Sequence, residues 1–359
     1  MTGARRRGPS SAPFPRAALL SWFDAGARAL PWRATRDPYR VWVSEVMLQQ
    51  TRVETVVRYY EKFLARFPTV TALAAAPDEE VRAAWSGLGF YRRARSLHAA
   101  ARVVAAEHGG VVPTDPAAFG DLPGVGRYTL GAVLSISHDA PLPVLDGNVA
   151  RVLCRLRRVP GDPTAGPTMR RLWALADELL PPARTGAWNQ ALMELGATVC
   201  KPTTPRCGSC PVAGACEARA EGLTDRFPEP RRRAKVQEVV RAAVYLERAD
   251  GRFLLAQRPP EGLLASLWEL PALDVGPGST PEAAAATLAR SLGAREAPVA
   301  RGQVEHVFTH RRWTIHVAAA RAGRGRKVPS GHRWVTRAEL DTLGVPTVTR
   351  RTLEAANPA

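Results

Sequence analysis

Lysine is scarce in this chain. Only Lys62, Lys201, Lys235 and Lys327 occur among 359 residues, although lysine and arginine together number 50. Cysteine is nearly as rare, and four of its five occurrences fall between residues 200 and 216. No apolar run approaches the length needed to span a bilayer. The opening "MTGARRRGPSSAPFPR" is basic but has no apolar stretch behind it, so no signal peptide is expected. A cytoplasmic protein follows as the expectation, and a reducing compartment argues against disulfides.

Acidic residues are also few. With 33 of them the formal net charge is +17. A soluble protein that basic usually has a polyanionic partner, nucleic acid above all. A compositional bias toward arginine and alanine is the competing reading. It does not explain why acids are so outnumbered. Hydrophobic residues at 45% and charged residues at 23% are those of a soluble globular protein, and the length leads us to expect two domains.

From about residue 16 to 200 the apolar spacing is helical, with Pro or Gly between most segments. "DPYRVWVSEVMLQQ" offers Asp37 as an N-cap and Pro38 at the first helical position. After the cysteines, "EGLTDRFPEPRRRAKVQE" reads as a linker. "VVRAAVYLERADGRFLLAQR" then gives two β-type runs around a turn, "TPEAAAATLARSLGA" a helix, and "GQVEHVFTHRRWTIHVAAA" further strand-like alternation. The expected organisation is a basic tail over 1–14, an all-α domain over 15–221, a linker over 222–236, and an α+β domain over 237–359.

The four clustered cysteines, Cys200, Cys207, Cys210 and Cys216, have the spacing C-x6-C-x2-C-x5-C. Four thiolates so close can converge on one metal centre. No histidine lies inside the run, which excludes a Cys/His finger. A four-cysteine zinc ribbon normally carries two CxxC knuckles, and only Cys207 and Cys210 form one. Spacing alone therefore favours an iron–sulfur cluster and leaves zinc open. Cys154 stands apart on an apolar helical stretch and reads as a core residue.

Glu45 stands out on physical grounds. In "VWVSEVMLQQT", Val41, Trp42 and Leu48 share its helix face. A carboxyl desolvated by apolar neighbours has a raised pKa and can stay protonated near neutral pH, as a general acid must. "LPGVGRYTLGAV" is a turn between helical stretches, where Gly124 and Gly126 permit angles a side chain would forbid and let a phosphate approach. Alone, such a turn is as easily a plain connector. "VLDGNVARVL" places Asp146 ahead of a helix, where an ordinary N-cap is the bland reading.

Together these segments resemble the endonuclease III and MutY branch of the helix-hairpin-helix DNA glycosylases, and the resemblance covers nearly the whole chain. It implies that the cysteines hold one structural four-iron, four-sulfur cluster, shaping a loop whose Lys201 and Arg206 meet DNA. It makes Glu45 and Asp146 the catalytic carboxyls, with Tyr128 and Asn148 supporting them and Arg33 of "LPWR" lining the pocket. Endonuclease III-type lyases carry a lysine at the position of Tyr128, and no lysine lies near it, so base hydrolysis without strand cleavage is expected. The C-terminal half resembles the Nudix-like domain of MutY-type adenine DNA glycosylases through "GLLASLWELP" and "VFTHRRW". Its helical segment offers only Glu282, too few acids for a magnesium-dependent pyrophosphatase.

The resemblance implies a monomer acting on double-stranded DNA, flipping out adenine mispaired with 8-oxoguanine or guanine. Gln50 and Thr51 of "LQQT" would enter the duplex beside the lesion. Two positions depart from the family. The wedge "GLGYY" reads "GLGFY", putting Phe90 where a tyrosine intercalates, so stacking is kept and a hydroxyl lost. The Phe-Ser-His triplet that senses the lesion reads Phe308, Thr309 and His310, adding a methyl group. An endonuclease III-like lyase for oxidised pyrimidines and a non-catalytic iron–sulfur DNA-binding protein are the alternatives. Tyr128 and the second domain oppose the first, and the intact Glu45 and Asp146 oppose the second.

Overall fold

Helix follows helix up to the cysteines, and strands begin only after residue 236. A computed structural model describes residues 14–230, 236–323 and 328–357. Of the expected tail only residue 14 is among them, and residues 231–235 of the expected linker lie outside the described residues. The helices are α1 Arg16–Gly26, α2 Pro38–Leu48, α3 Val53–Arg66, α4 Val70–Ala75, α5 Asp78–Ala84, α6 Arg92–Glu107, α7 Pro116–Gly120, α8 Arg127–His138, α9 Gly147–Arg157, α10 Gly166–Leu179 and α11 Thr185–Thr198, with α12 Glu217–Ala220 after the cysteines. Asp37 caps α2 as its sequence suggests: its Oδ1 accepts the Arg40 amide at 2.9 Å.

The chain forms two compact units, each built from two separate stretches. The first joins residues 1–46 to 103–232, and the second joins 47–102 to 233–359. This grouping differs from a division at the linker. The helices from α3 to the first part of α6 belong with the strands. The expected linker also starts as folded chain, because the carbonyls of Thr224 and Phe227 accept from Arg155 of α9.

In the first unit α11 packs against α1, α8 and α9 around Leu153, Trp188, Leu192 and Leu195, all essentially buried. Close crossing of α9 and α11 depends on Gly196. A Cβ there would lie 2.6 Å from the Cβ of Asn148, nearer than packed carbons approach.

In the second unit a mixed sheet comprises β1 Gln237–Glu247, β2 Phe253–Gln257, β3 Trp268–Glu269, β4 Ala272–Asp274, β5 Val299–Val307, β6 Arg311–Arg321 and β7 His332–Val335. Its main order is β3-β2-β1-β6-β5, with β4 on β1 and β7 on β2. The hairpin expected around "ADGR" forms, with Glu247 opposite Phe253. The long pairing of β1 is parallel, to β6, and no local turn announces it. Helices α13 Pro281–Leu292 and α14 Thr347–Ala356 contribute to two separate cores. Ala285 and Leu288 pack with Val244 and Leu246, while Val348 and Leu353 pack with Tyr245 and Ile315. Alternation along β1 assigns its residues to opposite faces.

Helices α3–α6 meet the strands through specific polar contacts. The Trp268 indole donates to Glu79 Oε1 on α5 at 3.0 Å, Arg95 donates to the Pro260 carbonyl at 3.0 Å, and the Ser86 hydroxyl donates to the Val345 carbonyl.

Candidate active site

Glu45 sits in the last turns of α2, 3% exposed, behind the buried Val41 and Trp42. The Tyr128 hydroxyl, from the first turn of α8, donates to its Oε2 at 2.6 Å. Burial pushes the Glu45 pKa up to about 7; the Tyr128 hydrogen bond and Arg33 oppose the rise, and the charge of Asp146 adds to it. Asp146 is indeed the N-cap of α9. Its Oδ1 accepts the Val149 amide at 2.7 Å and its Oδ2 accepts the Asn148 side-chain amide at 2.8 Å. Burial raises its pKa too, against the pull of those donors and of Arg151. Two desolvated carboxyls thus differ in their partners, Glu45 with a single hydroxyl donor and Asp146 with several fixed N–H donors.

Arg33 donates at 2.9 Å to Glu194 Oε2 and at 3.0 Å to the Arg28 carbonyl, and stands 5.2 Å over the Phe23 ring. Arg28 forks onto both oxygens of Glu194 at 2.7 Å. Burial alone would raise the Glu194 pKa, but the two arginines bring it below the ordinary value. Glu194 escaped the sequence reading, although "ALMELG" surrounds it with apolar residues much as Glu45 is surrounded.

Helix α9 runs from the carboxyl pair to the cysteines. Asn148 Oδ1 accepts from Arg151 at 2.9 Å, and Arg151 Nε donates to the Cys200 carbonyl at 2.8 Å. One turn on, Arg155 is 2% exposed. It donates to the carbonyls of Lys201, Pro202, Thr224 and Phe227 and, at 3.3 Å, to Cys200 Sγ, with no carboxylate among these partners. Cys200, Cys207, Cys210 and Cys216 are free and half-buried. Among the described residues no three metal-binding side chains are drawn together as a bound ion would hold them. The donor chemistry still fits a thiolate-held cluster: four soft ligands in one loop, and a buried cation whose natural complement is a negatively charged centre. Arg206 is exposed and Lys201 partly so, while Cys154 is fully buried in the core, as expected.

The turn between α7 and α8 forms. Gly124 has φ +79°, which favours glycine, but Gly126 has φ −101°. The expected conformational need therefore applies to Gly124 alone. Gly126 contributes open space instead, since a Cβ there would meet nothing within 4 Å. As the N-cap of α8 it offers no side chain to the first amides of that helix.

In the second unit Gln50 and Phe90 are both exposed residues in the left-handed region, at φ 60° and 47°. Such backbone is costly for a side-chain-bearing residue and persists where its surroundings impose it. Arg93 imposes it. Its guanidinium donates to the carbonyls of Met47, Gln49, Leu88 and Gly89 and to the Thr51 hydroxyl, and it stands 5.3 Å over the Phe90 ring. Burial lowers its pKa to about 10, so it stays charged at neutral pH. Nothing in "GFYRRAR" distinguishes Arg93 from the arginines beside it.

The stretch "VFTHRRW" holds the hairpin turn between β5 and β6. The Phe308 amide donates to the Arg311 carbonyl at 2.7 Å, leaving Thr309 and His310 as an exposed two-residue tip. Phe308 packs on the strand core. Glu282 is exposed and is the only acid on α13.

Residues 43–178 match the HhH-GPD superfamily base excision DNA repair proteins, and residues 242–355 match the NUDIX domain. An adenine DNA glycosylase of Homo sapiens is 39% identical over 94% of this chain and 72% of its own length. One of Schizosaccharomyces pombe is 34% identical over 92% of this chain and 86% of its own. Among solved structures, a thermostable thymine-DNA glycosylase matches with a TM-score of 0.52 and 31% identity, covering 57% of this chain and 95% of that one. An endonuclease III trapped as a covalent intermediate with DNA shares the fold, at 0.50 and 22%, covering 58% and 95%. A base excision repair domain and a NUDIX domain thus lie in one chain whose relatives over most of its length are adenine DNA glycosylases, and the chain belongs to the MutY-type adenine DNA glycosylases, DNA N-glycosylases of base excision repair.

Proposed function

We propose that this chain removes adenine mispaired with 8-oxoguanine, or with guanine, from duplex DNA, and does so by hydrolysis alone. The observation that carries the reading is the carboxyl pair: Glu45, with a pKa of about 7 under the Tyr128 hydroxyl, beside Asp146 held by the donors of α9. Environments that separate the roles of two carboxyls are the basis of acid and anion working side by side. The adenine is flipped out of the stack. Glu45 gives its proton to N7, the N9–C1′ bonding pair leaves with the base, and the Asp146 carboxylate faces the positive charge left on the sugar. Water adds to C1′ and releases a proton. Asn148 and Tyr128 hold the two carboxyls in place, and Arg33 lines the pocket beside Glu45. No lysine stands at Tyr128, so no Schiff base forms.

Cys200, Cys207, Cys210 and Cys216 would hold one four-iron, four-sulfur cluster, which supplies structure and no step of the base removal. Lys201 and Arg206 then face phosphates from its loop, as do the amides after Gly124 and Gly126. Gln50, Thr51 and Phe90 enter the duplex at the lesion, and Phe308, Thr309 and His310 read the base opposite adenine. Residues 15–221 supply the chemistry and residues 237–359 the recognition. The enzyme acts as a monomer on cytoplasmic, nucleoid-held DNA.

The test is single-turnover incubation with duplexes carrying one adenine opposite 8-oxoguanine, guanine or thymine, followed by alkali. Strand breaks at adenine in the first two and not the third are expected. Excision of an oxidised pyrimidine instead, or strong borohydride trapping, would overturn the reading.

A further inference from the structure

Thr309 and His310 form a two-residue tip, and what aims that tip lies behind it. Trp313, two residues into β6 and 3% exposed, meets the Phe308 ring edge-to-face with centroids 4.8 Å apart. Phe308 in turn meets the His306 ring at 4.6 Å. Two guanidinium groups stand over the same indole, Arg241 at 4.3 Å and Arg258 at 5.3 Å. A cation over an indole is strongest where water is excluded, and Arg241 is 5% exposed.

Arg241 occupies an unexpected place. It lies on β1 between Val239 and Ala243, on the face that otherwise packs Ala243, Tyr245 and Ile315 into the core. Glu269 holds it there with two hydrogen bonds of 3.1 Å, and Asp274 accepts its Nε at 2.9 Å. Glu269 Oε1 also accepts from Arg258 at 2.8 Å. Arg258 Nε donates at 2.8 Å to the carbonyl of Leu263, in a loop where Leu264 and Ser266 have φ of 56° and 60°. Apolar residues of similar volume would often stabilise a sheet face as well or better than a buried ion network. A network at this place, tied to a strained loop on one side and an aromatic stack on the other, fits a positional role.

We propose that Trp313, clamped by Arg241 and Arg258 through Glu269, is a positioning residue that aims the 308–310 tip and so sets the choice of base opposite adenine. The inference rests on the reading given above for Thr309 and His310. The clamp also ties the tip to the 259–267 loop, so both present one preformed surface to the opposite strand.

The test uses the full chain and compares Glu269→Gln, Trp313→Leu and Trp313→Phe with a Thr309→Ala/His310→Ala control. Single-turnover excision is measured with adenine opposite 8-oxoguanine and opposite guanine, together with affinity for each duplex. Glu269→Gln and Trp313→Leu should lower the preference for 8-oxoguanine about two- to tenfold, the worth of a lost aromatic or cation contact. Excision from the saturated 8-oxoguanine complex should stay within about twofold of the parent, since a lost contact that leaves the transition state untouched appears in binding. Trp313→Phe should restore much of the preference. Should Trp313→Leu fail to fold, Glu269→Gln, which changes no volume, carries the test. An unchanged preference in both variants alongside a lowered one in the control overturns the inference and leaves the reading of the tip intact. An unchanged preference in the control overturns that reading itself. Parallel loss of preference and saturated rate, unrescued by phenylalanine, marks a merely structural role and also overturns the inference.

Discussion

The Tyr128 hydroxyl donates to Glu45 at 2.6 Å, and the two residues come from helices 83 positions apart in the chain. That bond favours the ionised carboxyl, whereas burial disfavours it more strongly, and the balance leaves Glu45 near a pKa of 7.

Glu45→Gln should retain affinity for mispaired DNA and lose adenine release by at least ~100-fold. Single-turnover rates of the parent should fall as pH rises through about 7, where Glu45 loses its proton. Linkage adds a second readout. The folded pKa lies above the unfolded value of about 4.5, so the folded state holds the extra proton between pH 4.5 and 7. Stability from this group is present below 4.5 and is lost as pH climbs to 7, by about 3 kcal/mol. Melting temperatures of Glu45→Gln should therefore overtake those of the parent across that window. A constant difference across pH would refute the burial of an ionisable acid here.

Tyr128→Phe removes the donor that holds the Glu45 pKa down. Its alkaline limb should move to higher pH, whatever happens to the maximal rate. An unmoved limb in a pH–rate profile would show that the hydroxyl does not govern the acid.

The purified protein should be yellow-brown and contain iron rather than zinc. Cys207→Ser should lose iron and local stability, since ligation and folding are coupled. Arg155→Met should do the same without replacing a ligand. It strips four carbonyls and Cys200 Sγ of their donor, at about 3 kcal/mol or more. Iron content and visible absorbance read both variants; full iron in Arg155→Met would mean that its charge is not matched to the thiolates.

Arg93→Ala should release the left-handed backbone at Gln50 and Phe90 together. Affinity for lesion duplex should fall and thermal stability should drop by about 2–3 kcal/mol, because several carbonyls lose one shared donor. Wild-type affinity with lowered stability would separate the fold of these loops from their use.

What could be read in advance was what is local. Asp37 and Pro38 mark the start of α2, apolar neighbours three and four residues away mark Glu45 as desolvated, and "ADGR" marks a turn. Each depends on residues within a few positions. Arg93, Arg155 and Glu194 owe their roles to partners brought close only by folding; arginine is so common here that the first two leave no compositional trace, and the apolar neighbours of Glu194 mark its burial but not the two arginines that hold it. The parallel pairing of β1 with β6 joins Gln237 to Arg311 across a stretch containing a helix and four strands, beyond the reach of any turn signal. Gly126 shows the opposite limit. Its position was evident, but its φ of −101° is ordinary, so its contribution had to be read from the empty space beside it.

The interleaving of the two units bears on how this chain can be cut and recombined. It passes from the first unit to the second within α2, between Val46 and Met47, and returns within α6, between Arg102 and Val103. The C-terminal strands are therefore not a cassette that can be removed or transplanted at the linker. Cutting after residue 236 would leave Glu79 without Trp268, Ser86 without Val345 and Arg95 without Pro260, all in the 47–102 segment whose loops carry Gln50 and Phe90. A truncated protein would lose these packing partners along with its strands. Sequence exchange between relatives should be tolerated only when the 47–102 segment travels with its own strands.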